Sequence, residues 1–374
     1  MKKYLSSFVR AGIIFLLAIV LFTLGVLKSS PTICEAMTTG ISRFFNSISS
    51  AITSVIPFSL TELSFVLLAL GIIALLVIAI IELKRKKWQA SINRAFEIAG
   101  ILLLSFNLYS VSCEFAYNRK EMPLPYYENE VLRTEHIDIY NFFAEDVNYC
   151  ISQLDFKDSG EVKSNMSLSE LAKEVKKAYQ IVEGNGYYAS HFGGVKPMAS
   201  SFIYREFQIT GVTYSPLGEA NINILNTDTN LPLTVAHELA HTKGVMREDD
   251  ANKLAFYVCL NSEHPYLRYS AYSAYFYQIE AMTTSYYLTE EERTNLIAIN
   301  STLSKTRSYE YKFWKEHDLL GDIGNWINDL YIKSSGVKEG TTSYAGGTAY
   351  EHDPTTSKLI PSLYQKLFFD KYYR

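Results

Sequence analysis

The chain has 374 residues, a formal net charge of -4 and only 20% charged residues. That balance offers no basic footprint for nucleic acid, and the length suits one sizeable core with accessory segments. Mean hydropathy is close to zero, high for a chain without membrane segments, and the excess is concentrated near the N-terminus.

Residues 11–27 form an apolar run interrupted only by Thr23, and 63–81 form a purer one. A weaker run around 95–117 carries Glu97 and Glu114 near its ends and Asn107 inside. Both strong runs approach the roughly 20 residues that cross a bilayer. The sequence therefore predicts a membrane region over 1–120 with spans at about 9–28, 61–83 and 95–117; a buried core helix is the alternative for the third. A cleaved signal peptide is the alternative for the first, but no small-x-small cleavage site follows Leu27. Lys2, Lys3 and Arg10 precede span one, and Lys84, Arg85, Lys86, Lys87 and Arg94 separate spans two and three. With three spans, this bias predicts a cytoplasmic N-terminus and an extracytoplasmic remainder at the cell membrane; without the third, the prediction inverts.

Between spans one and two, Ile33, Met37, Ile41, Phe45, Ile48, Ile52 and Ile56 recur every three or four residues. The spacing predicts an amphipathic helix over about 33–56, packed on the spans or lying on the outer membrane surface. Cys34, Cys113, Cys150 and Cys259 show no CxxC spacing, which argues against a cysteine zinc site and demands no disulfide.

A second domain is expected over 121–345. Helices are predicted at 139–156 and at 167–182, the latter opening on Ser167 with Glu170 three residues on, a capping box. A looped, glycine-rich stretch (184–197) precedes a hairpin of 207–214 and 219–225 joined by Ser215-Pro-Leu-Gly218. A helix is predicted ending near Gly244, and further ones at 247–262, 266–283, 289–317 and 322–333. Thr229 or Asn230 could cap the first of these, Pro232 suits its start, and Gly244 suits its end. The tail, 346–374, is expected to be irregular apart from a short apolar stretch at 363–369. The fold class is α+β and mainly helical.

His237-Glu238-Leu239-Ala240-His241 carries the chemistry. Histidines four apart on a helix share a face, so both imidazoles can reach one Zn²⁺, and the glutamate beside the first can serve as general base toward a metal-activated water. A third ligand is required. Glu248 is the choice because a helix starting near Arg247 puts it one turn from Asn252, with Ala251 and Ala255 small enough for close helix approach. Asp249 and Asp250 are the alternatives, and Asn252 could support a ligand from behind. Among 28 tyrosines, an oxyanion donor could be Tyr269, Tyr272, Tyr275 or Tyr344, or else Arg268. His136, His191, His264, His317 and His352 lack ligand spacing.

The series His237-Glu-x-x-His241, Glu248-x-x-Ala251-Asn252 resembles the gluzincin pattern of CAAX-prenyl-type and ImmA/IrrE-type peptidases, with a shorter gap before the glutamate. Gly244 also suggests a metzincin opening, but Arg247 stands where a histidine would be needed. A broader resemblance covers nearly the whole chain. Ile56-Pro-Phe-Ser59, Tyr117-Asn-Arg119, Gly211-Val-Thr-Tyr-Ser-Pro216, Gly218-Glu-Ala-Asn221, Arg247-Glu-Asp-Asp-Ala-Asn252, Leu267-Arg-Tyr-Ser270, Asn328-Asp-Leu-Tyr-Ile-Lys333 and Gly340-Thr-Thr-Ser-Tyr344 resemble the bacterial membrane-protein family catalogued as domain of unknown function 3810. The resemblance implies a zincin-like metallopeptidase domain behind three spans, with no assigned substrate.

The expectation is thus a membrane-anchored zinc metallopeptidase: His237, His241 and Glu248 on the metal, Glu238 as base, a peptide or protein as substrate. The strand around 221–224 could pair with an extended substrate. A zinc-stabilised envelope scaffold without catalysis, or a zinc amidase acting on cell-wall peptides, are the competing readings.

Overall fold

The computed structural model describes residues 2–353, 355, 356 and 358–374. It divides into two compact units, Met1–Glu121 with Thr213–Glu219, and Met122–Val212 with Ala220–Arg374.

In the first unit, α1 (Lys2–Leu27), α4 (Leu60–Lys84) and α5 (Trp88–Ser112) flank the short helices α2 (Pro31–Met37) and α3 (Arg43–Ser54). Three helices, Ser6–Leu27, α4 and α5, are long and apolar enough to cross a membrane. The third begins at Trp88, earlier than the apolar run alone predicts. Its polar first turns are tolerated because α1 supplies partners: Ser7 donates to Asn93, and Arg10 Nη2 meets Glu97 Oε1 at 2.9 Å. Deeper in the span, Asn107 Nδ2 donates to Leu17 O at 3.1 Å, turning its amide toward α1, as polar groups in spans do.

The segment between α1 and α4 is one nearly continuous helix, interrupted by a π-helical turn at Thr38–Ser42. Its polar side faces the protein. Ser42 donates to Val111 O, Asn46 Nδ2 to Ser112 O (3.0 Å), Ser50 Oγ to Gly218 O (3.1 Å) and Thr53 Oγ1 to Leu217 O (3.0 Å). Ile41, Phe45, Ile48 and Ile52 point outward. At the N-terminal end of the stripe, Ile33 and Met37 instead pack with Leu24, Cys34 and Phe115, so the segment packs on its neighbours through that end and through its polar side. The hairpin tip also caps α4: buried Glu219 Oε2 accepts from Thr61 N and Thr61 Oγ1, both at 3.0 Å.

In the second unit, α6 (His136–Ser152) and α7 (Leu168–Ala178) lead to β1 (Gly194–Pro197), α8 (Ser201–Glu206), β2 (Gly211–Tyr214) and β3 (Glu219–Ile222). The Ser167/Glu170 capping box forms as expected. Strand order is β1-β3-β2. The glycine-rich stretch expected to be loop thus contributes β1, and β3 lies between two neighbours.

Next come α9 (Leu231–Thr242), α10 (Glu248–Leu260), α11 (Pro265–Tyr275) and α12 (Tyr277–Glu280). The helix expected over 289–317 is split into α13 (Glu290–Arg293) and α14 (Thr302–Glu316). Two asparagines of α6 hold the intervening chain extended. Asn141 bonds Asn295 O (3.1 Å) and Ile297 N (2.8 Å), while Asn148 bonds Ala298 O (3.0 Å) and Asn300 N (2.9 Å). This long-range competition outweighs local helix propensity.

After α15 (Gly321–Ser334), a short antiparallel pair, β4 (Glu351–His352) and β5 (Leu359–Ile360), precedes α16 (Leu363–Tyr373). The apolar stretch at the C-terminal end is part of a longer helix than the sequence suggests. Tyr364, Leu367, Phe368 and Phe369 are fully buried, and the Phe368 ring lies 4.9 Å from those of Phe143 and Phe256. Each such side chain contributes about 1.5–3 kcal/mol on burial, so α16 belongs to the core of the second unit.

Candidate metal centre

Helices α9 and α10 pack closely, with Ala251 and Ala255 buried in the shared core. Neither expected residue caps the α9 N-terminus: Asn230 makes no capping bond, and Thr229 Oγ1 accepts from Val162 N at 3.0 Å, while Leu233 N in the first turn donates to Ser270 Oγ at 3.4 Å. Pro232 occupies the first turn, where its missing N–H costs no intrahelical bond.

At the other end, Gly244 adopts φ +86°, and Val245 N returns to Ala240 O at 3.1 Å. This left-handed stop is strained for a residue with a Cβ. It also turns the Val245 carbonyl toward His241 Nδ1, 2.8 Å away. A carbonyl only accepts, so Nδ1 carries the proton and Nε2 is left to face inward. His237 is oriented in the same way: its Nδ1 lies 2.8 Å from Asn252 Oδ1, while Asn252 Nδ2 donates to Tyr344 O at 3.3 Å.

The three free ligand atoms converge. His237 Nε2 lies 3.0 Å from His241 Nε2 and 3.1 Å from Glu248 Oε2, and His241 Nε2 lies 3.5 Å from that same oxygen. Ligands about 2.0–2.2 Å from a tetrahedral ion stand roughly 3.3–3.6 Å apart, so the triangle fits a zinc ion with little adjustment. Burial opposes charge on His241, yet the adjoining Glu248 carboxylate pushes its pKa up to about 9; Glu248, also buried, is in turn held below the usual carboxylate range by His241 and His237. Among the described residues, this is one group of three histidine, cysteine or acidic side chains placed to hold a metal.

Asp249 and Asp250 are turned elsewhere. Lys253 Nζ lies 3.3 Å from Asp249 Oδ2 and 2.8 Å from Asp250 Oδ1, and Arg247 adds a contact to each. Glu238 is buried beside the triangle and packs on β2, where a Cβ on Gly211 would stand 2.6 Å from its carboxylate oxygen.

Of the candidate oxyanion donors, Tyr344 is the one brought to the metal group. Its hydroxyl accepts from Asn328 Nδ2 at 3.1 Å, and burial beside Glu248 raises its pKa above the usual tyrosine range. Arg268 instead binds Asp146, as does Tyr272; Tyr269 pairs with Thr306, and Tyr275 stacks on Tyr364. The five other histidines stay outside the triangle. His264 caps α11 through its Nδ1, His317 pairs with Glu206 and His136 is buried against Tyr287. The four cysteines are buried and unlinked.

The profile of one protein family, described as a protein of unknown function (DUF3810), matches residues 38–350. The chain belongs to that family. The matched stretch of this DUF3810 protein contains His237, His241 and Glu248, Asn328 and Tyr344, and ends before α16. No curated protein and no solved structure matches the chain.

Proposed function

We propose that this DUF3810 protein is a membrane-anchored, zinc-dependent metallopeptidase whose second unit is a zincin-like, gluzincin-type α+β domain. The observation that carries the reading is the convergence of His237, His241 and Glu248 within 3.0–3.5 Å, with each imidazole fixed from behind and Glu238 alongside. Three ligands with a neighbouring carboxylate are the composition of an open catalytic site; closed structural sites use four protein ligands. A bound Zn²⁺ would supply Lewis acidity at the scissile carbonyl and a water of lowered pKa.

The chain's own groups provide the remaining steps. Glu238 takes a proton from water as its oxygen attacks the peptide carbonyl carbon, and delivers it to the departing amine nitrogen when the C–N bond breaks. Tyr344, steadied by Asn328, donates a hydrogen bond to the carbonyl oxygen as negative charge builds there. An extended peptide would lie along the outer strand β2 rather than the strand expected from the sequence, because β3 already has a neighbour on each side. The basic residues at the start of α1 and those around the joint of α4 and α5 favour a cytoplasmic N-terminus and an extracytoplasmic catalytic unit at the cell membrane.

The test is zinc content and cleavage of a peptide library by the purified full chain and by Glu238→Gln. Both proteins should hold one zinc, and cleavage should fall by roughly 100-fold or more in the variant, the scale of a lost general base. Zinc in both with no Glu238-dependent cleavage would mark a binding scaffold, and absence of zinc from both would end the proposal.

A further inference from the structure

The helical segment between α1 and α4 is built inside out. Cys34, Thr38, Ser42, Ser50 and Thr53 form its buried line, and Asn46 sits in register between them. The opposite line, Ile41, Phe44, Phe45, Ile48, Ile52 and Val55, is exposed, Phe44 by 61% and Val55 by 82%. None of these outward residues is charged. In water, each would forfeit about 1.5–3 kcal/mol of burial. On the inner side, Ser42, Asn46, Ser50 and Thr53 donate to fixed carbonyls at Val111, Ser112, Gly218 and Leu217, so the segment cannot roll over without stranding these donors.

We propose that the Ile41–Val55 face lies in the hydrocarbon margin of the lipid bilayer. Covalent continuity names this occupant. The segment leaves one span at Leu27 and enters the next at Leu60, with no span between, so both of its ends lie at the same bilayer face. The α3 stripe runs on through Val55 and Phe58 into the exposed apolar surface of α4, beginning with Leu63, Val66 and Leu67. A surface continuous with lipid-facing spans and free of charge suits acyl chains, whereas a water-borne partner would have to cover the margin of the spans as well.

Bimane attached to Phe45→Cys or Ile52→Cys in the full chain tests this, with Gln153→Cys at the exposed end of α6 as reference. The native cysteines are buried, which keeps labelling at the introduced site. The chain is reconstituted in phosphatidylcholine vesicles with or without bromine on the acyl chains. Brominated lipid should quench labels at 45 and 52 at least twofold while aqueous iodide leaves them bright, and the label at 153 should respond to iodide alone. Quenching of 45 and 52 by iodide but not by lipid would overturn the proposal. Protection from both quenchers would also overturn it, by showing that protein covers the face.

Discussion

Helices α3 and α9 carry similar patterns of apolar and small polar residues, yet they solve opposite problems. In α9, nearly every side chain is buried; Glu238 and His241 gather at one cluster, while Thr234 accepts from Asn226 and Thr242 from Gly193 N. In α3, the hydroxyls of Ser50 and Thr53 are what is buried, each tied to a backbone carbonyl as is the half-buried Asn46 amide, while the large apolar residues face out. Periodicity marks two faces; the surrounding solvent decides which of them meets the protein.

The sharpest way to break the contrast is to remove a charge from the α9–α10 site. Glu248→Ala should lower zinc affinity by more than about 100-fold, because even losing a group behind a ligand costs roughly 10–100-fold. Asn252→Ala should fall within that lesser range, since His237 would keep its Nε2 but lose its orienting partner. Asp249→Ala should leave zinc content unchanged, because Asp249 is paired with Arg247 and Lys253. Zinc measured after dialysis against graded chelator would rank the three. Loss in Asp249→Ala with retention in Glu248→Ala would reassign the third ligand.

A smaller effect comes from the glycine under the base. A methyl group on Gly211 would stand 2.6 Å from Glu238 Oε1, so Gly211→Ala must push the carboxylate aside. A displacement of about 1 Å can cost about 100-fold in rate. Glu238-dependent cleavage should therefore drop by up to that factor with zinc content intact. Unchanged cleavage would mean that the position of Glu238 beside β2 does not limit the reaction.

The parts of the site legible in the sequence were the local ones. The two histidines, Gly244, Glu248 and Asn252 span 16 residues, and helix geometry alone puts them on facing surfaces. Tyr344 was one candidate among many, because its link to the site runs through Asn328 and Asn252, contacts that no spacing encodes. The break before α14 was hidden for the same reason: its cause is two side chains on α6. α16 was obscured by its position after an irregular stretch, although Ser362 and Gln365 form a capping box. For α3, the sequence marked the stripe but left its direction open.

The smallest effects belong to the first unit, where Gly218 and Glu219 meet α3 and the start of α4. Glu219 caps the start of α4 just after Ser59, and Gly218, at φ +62°, passes so near Ser50 that a Cβ would overlap its hydroxyl. Glu219→Gln keeps the shape but replaces a charged acceptor facing Thr61 N and Oγ1 with a neutral one. Hydrogen bonds to charged groups are worth about 1.5–3 kcal/mol and neutral ones about 1, so the loss should be about 1–2 kcal/mol. Ser50→Ala removes one neutral donor and should cost about 1 kcal/mol, because Gly218 O would then be buried without it. Thermal unfolding of the reconstituted full chain, followed by a fluorophore on the hairpin tip, would measure both. If Glu219→Gln proved silent while Ser50→Ala did not, the tip would be held by α3 alone, and the charge at the head of α4 would serve something other than stability.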